Sequence, residues 1–185
     1  MSQHAPHPEH SGAAITILKV DAWNDSGVVV MSPSQDPDGR LDARHSADGD
    51  NISPPLTWTA VEGAESYALI VEDPDAPQDL PFVHWMIWNI PAGAGGLPEG
   101  VPVAMNIGAP HPIIQGKNDA GTYGWYGPKP PPGHGVHRYY FQVFALDKRL
   151  EMSPDTPLPE LLNALKGDTI AKGEMVATFE TPALQ

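Results

Sequence analysis

Residues 66–90 read SYALIVEDPDAPQDLPFVHWMIWNI, and this stretch decides the fold. Ser66 to Glu72 is a continuous apolar run, the pattern of a strand buried on both faces. Phe82 to Ile90 is rich in aromatic and β-branched residues, which suit a pleated, half-buried surface. The connection between them is short, so the two strands are expected to pair antiparallel. Simple alternation then puts His84 on the same face as Phe82 and Met86.

Outward from this pair, Val136–Leu146 (VHRYYFQVFAL) predicts a third long strand and Glu174–Glu180 (EMVATFE) a closing one. On the N-terminal side, Ile15–Trp23 (ITILKVDAW) predicts a first strand, Val28–Met31 a second, and Pro54–Trp58 a further extended piece. Residues 32–51 are polar and punctuated by Asp36-Pro37-Asp38-Gly39 and Asp48-Gly49-Asp50-Asn51, which predicts a long surface loop. Residues 91–135 read as mostly irregular. In Pro157–Leu165, Leu158, Leu161, Leu162 and Leu165 fall on one helical face, and Gly167 is placed to end that helix. Residues 1–13, with His4, His7 and His10, read as a mobile tail, and 14–185 as a single domain. The class is therefore all-β and mainly antiparallel, a β-sandwich or open barrel with helical decoration.

Composition narrows the function. Ten basic residues against 23 acidic ones give a formal net charge of −13. Such a surface repels phosphate backbones and anionic headgroup layers, so neither nucleic acid nor an anionic membrane surface is an expected partner. A local pocket can still reverse the field for a small anion. Cysteine is absent, which excludes disulfides, thiolate metal sites and cysteine nucleophiles and fits a reducing compartment. No apolar run reaches the ~20 residues of a membrane span, and no secretory signal is evident, so a cytoplasmic protein is expected. The 22 prolines and 18 glycines separate short apolar runs, as in a turn-rich β-protein.

Three segments carry chemistry. Asp73-Pro74-Asp75-Ala76-Pro77 sets two carboxylates at the end of a buried strand, stiffened by prolines; read alone, it is also an ordinary Asx turn. His84 sits in the next strand, where a histidine can equally be a core residue satisfied by one backbone group. Tyr126-Gly127-Pro128-Lys129-Pro130-Pro131-Pro132-Gly133-His134-Gly135 is a stiff loop that runs straight into Val136-His137-Arg138-Tyr139. Its glycines let backbone approach a ligand, and its prolines reduce the ordering cost of binding. A polyproline spacer, the plain alternative, has no need of His137 and Arg138 at its end.

Six pieces in order resemble the phosphatidylethanolamine-binding protein family, in its bacterial and archaeal Raf-kinase-inhibitor-like branch. They are Ser53-Pro54-Pro55-Leu56-Thr57-Trp58, Asp73-Pro74-Asp75-Ala76-Pro77, His84-Trp85 with Asn89-Ile90-Pro91, Gly116-Lys117-Asn118-Asp119, Tyr126-Gly127-Pro128 and Gly135-Val136-His137-Arg138-Tyr139. The resemblance implies a large antiparallel sheet packed on a smaller one, with short helices near the C-terminus. It also implies one ligand pocket in which Asp73, Asp75, His84 and His137 converge, Tyr126, Gly127 and Pro128 form the rim, and Tyr139 lies alongside. Small oxyanions or a phospholipid headgroup are the implied ligands, a kinase or protease the implied protein partner, and a homodimer the implied assembly. Lys129 stands where prokaryotic relatives often have cysteine. Arg138, next to His137 and so on the opposite face, is expected to pair with a carboxylate rather than touch ligand.

The leading expectation is thus a non-catalytic anion-binding regulator without cofactor or metal. The chemistry also allows an enzyme of lyase, isomerase or cyclase type in which His84, His137 and Asp73 do acid–base work. His84, His137 and Asp73, with His134 and His111 nearby in sequence, are metal-ligating types as well.

Overall fold

The computed structural model describes residue 10 and residues 12–185. Among them, nine strands and one α-helix follow in the order β1 (Val30–Met31), β2 (Leu56–Trp58), β3 (Ser66–Asp73), β4 (Phe82–Pro91), β5 (Gly96–Leu97), β6 (Asn106–Ile107), β7 (Ile113–Gln115), β8 (His137–Leu146), α1 (Leu158–Asp168) and β9 (Thr169–Phe179). The strands form two antiparallel sheets. The small one runs β1-β2-β5 and the large one β6-β7-β4-β3-β8-β9. The expected sandwich of a large and a small sheet is observed, with a single α-helix near the C-terminus.

β3 lies at the centre, hydrogen-bonded to β4 on one side and β8 on the other. All eight of its residues are buried, which is why its sequence is apolar without alternation. One face of the large sheet packs on the small sheet through Leu69, Val71, Trp85, Phe141 and Val143 against Val30, Leu56 and Trp58. The opposite face presents Ala68, Ile70, Met86, Trp88, Tyr140 and Phe144 to Leu161 and Leu165 of α1 and to the N-terminal segment.

That N-terminal segment departs from the sequence expectation. Ile15–Trp23 is not a strand: Thr16–Lys19 is a 3-10 turn lying across the face of the large sheet. Its Ile15, Ile17 and Val20 bury against that face. Its backbone is satisfied by side chains rather than by a ladder. Thr16 N–H donates to Glu72 Oε1 at 2.9 Å, Ile17 N–H donates to Gln142 Oε1 at 2.7 Å, and Lys172 Nζ donates to the Ile17 carbonyl at 2.7 Å. Glu72 and Gln142 are polar residues inside strands, and each takes up a donor that would otherwise be orphaned by burial.

Two further corrections concern the C-terminal third. Gly167 does not end the helix, which continues through it to Asp168. Thr169 Oγ1 donates to the Leu165 carbonyl at 2.7 Å, so the last turn is satisfied without a glycine cap. β9 begins at Thr169, five residues before the expected Glu174, and pairs along the whole of β8. The chain at Val28 lies so close to β9 that a Cβ on Gly173 would sit 1.7 Å from the Val28 carbonyl oxygen. Only glycine fits there.

Candidate functional site

The ends of β3, β4 and β8 meet at one end of the large sheet, and a register shift decides what they present. Val71 pairs with Trp85, but the next residue, Glu72, pairs with Val83, so His84 is the extra residue of a β-bulge. The bulge exchanges faces. Val83 joins Met86 on the face covered by α1, whereas His84 turns to Tyr139, a residue of the core between the sheets. The expectation that His84 shares a face with Phe82 and Met86 holds for Phe82, 4.6 Å away ring to ring, and fails for Met86.

His84 is 3% exposed and sits among the rings of Phe82, Tyr126 and Tyr139. Its Nδ1 donates to the Tyr126 carbonyl at 2.7 Å, and the Tyr126 N–H donates back to the His84 carbonyl at 3.0 Å. Burial pushes the imidazole pKa down to about 4, helped by the charge of His137 and opposed by the carbonyls of Tyr126 and Gly127. His84 is therefore neutral at physiological pH, with the proton on Nδ1.

Asp73 and His137 form the second half of the site. His137 Nδ1 donates to Asp73 Oδ2 at 2.7 Å, with both side chains almost wholly buried. Asp73 Oδ1 accepts from the Asp75 N–H at 2.8 Å. Burial raises the Asp73 pKa, and the hydrogen bond and charge of His137 pull against it. The other His137 nitrogen, Nε2, shares a proton with His134 Nδ1 at 2.6 Å, so Asp73, His137 and His134 form a chain from the interior to the exposed loop. The Tyr139 hydroxyl is fully buried and lies beside Asp73. Burial, then the charges of Asp73 and Asp75, raise its pKa above the ordinary phenol value, so it remains a donor.

These groups face a cavity of about 270 Å³. Asp73, His84, His137, Tyr139 and Tyr126 line it, together with Ala76, Pro77, Gln78, Phe82, Lys129, Pro130 and Pro131. Asp75, Gly127 and Pro128 do not. The Asp75 carboxylate is held by Arg138, whose Nη2 donates to Oδ1 at 2.7 Å and whose Nε and backbone N–H both donate to Oδ2 at 2.9 Å. Burial would raise the Asp75 pKa, but these Arg138 bonds hold it below the usual carboxylate value. Arg138 thus pairs with a carboxylate, as its place in the strand implied. Gly127 and Pro128 anchor the rim from behind: Gly127 N–H donates to Asn51 Oδ1 at 2.8 Å, and the Pro128 carbonyl accepts from Ala47 N–H at 2.9 Å. Each Asp carboxylate is already engaged by two or more N–H donors.

Sequence reasoning missed Gln78 and Phe82 as lining residues and Asn51 as the anchor of the rim. Asn51 carries a faint signal, an Asn in a left-handed turn (φ 54°) at the end of a polar loop. His134 was visible only as a histidine three residues before His137. Trp125, in the same loop as Tyr126, lies in the core against Trp85 and Phe141, not in the cavity. Among the described residues, no group of three or more His, Asp or Glu side chains is arranged to hold a metal ion, and no helix is long and apolar enough to cross a membrane.

Residues 31–180 match the family model described as phosphatidylethanolamine-binding protein. A Methanothermobacter thermautotrophicus protein named UPF0098 is 41% identical over 163 residues, spanning 88% of this chain and 97% of the relative. A Mycobacterium tuberculosis relative, LppC, bears a lipoprotein name and is 32% identical over 153 residues, 83% of this chain and 72% of that one. The crystal structure of Escherichia coli YbcL, described as a member of the mammalian PEBP family, superposes with a TM-score of 0.76 at 32% identity, covering 84% of this chain and 99% of YbcL.

Proposed function

The chain belongs to the phosphatidylethanolamine-binding protein family, and from that premise we propose that it is a non-catalytic binding protein whose Asp73–His84–His137 pocket takes a small oxyanion. The observation that carries this reading is the convergence of His84, His137 and Tyr139 on one cavity at the sheet end. A cavity of about 270 Å³ falls just below the ~300–1,000 Å³ of drug-sized ligand sites, so it suits a phosphate-sized group and leaves acyl chains outside. Lys129 is the lysine among the residues lining this cavity and is only loosely paired, 3.5 Å from Asp48.

Titration with phosphate and phosphoethanolamine, read by calorimetry and histidine NMR signals, tests the proposal. Binding that perturbs His84 and His137, and weakens roughly tenfold or more in His84→Ala and His137→Ala, is expected, since each variant removes hydrogen bonds in a buried site. Saturating ligand without any response would reject it. The proposal extends to regulation of a kinase or protease partner through the same opening, and to a cytoplasmic homodimer. Light scattering tests the dimer, and cell fractionation separates a cytoplasmic chain from an anchored one.

One observation favours an acid–base enzyme as the second reading. The chain Asp73–His137–His134 connects a buried carboxylate to an exposed imidazole and could carry a proton out of the cavity. Turnover of a small metabolite that disappears in His84→Ala would establish it.

A further inference from the structure

We propose that the pocket selects an oxyanion that still carries a proton, the monoanion of a phosphate monoester or of free phosphate, and discriminates against anions with no hydrogen to donate. This inference rests on the oxyanion reading above and sharpens it.

The reason is the direction of one hydrogen bond. The Tyr126 carbonyl can only accept, so the 2.7 Å contact fixes the proton of His84 on Nδ1. A neutral imidazole has one donor and one acceptor. His84 lines the cavity with Nε2 left as a lone pair, and the 3% exposure of the residue leaves little water to mediate. An oxygen without a hydrogen placed there sets lone pair against lone pair. A P–OH group donates to it.

The other groups facing His84 do not relieve this requirement. His137 has both nitrogens occupied, by Asp73 and by His134. The Tyr139 ring stands edge-on to His84, and its hydroxyl, a donor beside Asp73, offers nothing to accept a ligand hydrogen in place of Nε2. Tyr126 and Phe82 present ring faces. Lys129 supplies positive charge at the rim. An unmet acceptor on His84 beside a cation matches an anion with one protonated oxygen. An ammonium is the other natural donor, but the Asp73 and Asp75 carboxylates that would hold it are already bonded to Asp75 N–H, His137 and Arg138.

The test compares probes that differ in this proton. Methyl phosphate near pH 6 retains its second proton on about half of its molecules, as phosphate monoesters do. Dimethyl phosphate has the same single charge and no ionisable proton. Sulfate and free phosphate form a second pair. Binding of methyl phosphate over dimethyl phosphate, and of phosphate over sulfate, by roughly tenfold or more is expected from one buried acceptor left unmet. Nitrogen-15 histidine spectra are expected to show the Nδ1–H form of His84. The variant H84F keeps an aromatic ring and has no acceptor atom, so both ratios should fall towards one.

Equal binding within each pair would overturn the proton rule and leave an oxyanion pocket standing. Failure of all four anions to bind would overturn the oxyanion reading and this inference with it. An Nε2–H form of His84, or glycerophosphoethanolamine binding as tightly as methyl phosphate, would overturn the inference alone. Because the spectra are read on the wild-type protein, the test does not depend on H84F folding.

Discussion

A histidine enclosed by three aromatic rings resists protonation, and His84 carries that resistance into the stability of the protein. Its folded pKa, near 4, lies below the ordinary histidine value of 6.5. Between these values the unfolded chain binds a proton that the folded chain refuses. Stability is therefore full above about pH 6.5 and falls as pH drops towards 4, by up to about 3 kcal/mol from this residue. Urea melts of wild type and His84→Gln at pH 7 and pH 4.5 check this; the variant should show the smaller loss. Asp75 acts in the same direction at lower pH, since its depressed pKa gives stability that disappears as it protonates. The identities of these residues were legible in the sequence, because DPDAP, His84 and GVHRY are chemically conspicuous. The orientation of His84 was not. Alternation assigns its face correctly only for a regular strand, and the shift between Val71 and Glu72 reverses that face without leaving a mark in the composition.

At the level of elements, the pocket depends on a loop that never touches its ligand-facing space. Residues 32–51 read as a polar surface loop, yet His45 within them is fully buried, bonded to Ser34 Oγ and the Ile52 carbonyl. This segment forms the bed on which the 126–128 rim rests. The fit is tight: a Cβ on Gly127 would lie 2.1 Å from the His45 carbonyl oxygen. Gly127→Ala is expected to destabilise the protein by about 1–3 kcal/mol, as overpacking against backbone does. It should also displace the Tyr126 carbonyl from His84. Thermal melts measure the first effect, and the His84 nitrogen-15 signals measure the second. The long strands were legible because their apolar runs are long. The Ile15–Trp23 segment was misread because its apolar spacing serves burial on a sheet face as well as it would serve a strand. Only the placement of Glu72 and Gln142 beneath it, which is a tertiary fact, separates the two.

The molecule as a whole bears a net charge of −13, against which the proposed anion pocket has to work. The global field opposes approach and the local donors favour arrival. Added salt shortens the screening length from about 30 Å at 0.01 M to about 8 Å at 0.15 M, which weakens the distant repulsion first. Phosphate affinity should therefore rise over that range, against the usual trend for an anion on a cationic site. Calorimetric titrations at the two ionic strengths check it, and falling affinity would show that Lys129 governs the encounter. The fold class was legible at this scale because antiparallel pairing follows from short connections; the division of the core by the large sheet was not, since it depends on what covers each face. The Asp75–Arg138 clamp has a last consequence. It ties the β3 end to β8 on the face turned away from the cavity, while Asp73 and His137 serve the cavity itself. Architecture and recognition are thus written in adjacent but separate letters. On the proposed reading, exchanging His84 or Tyr139 changes the ligand preference while the clamp keeps the scaffold, and a protein engineer wanting an anion sensor would vary those positions with the clamp left alone.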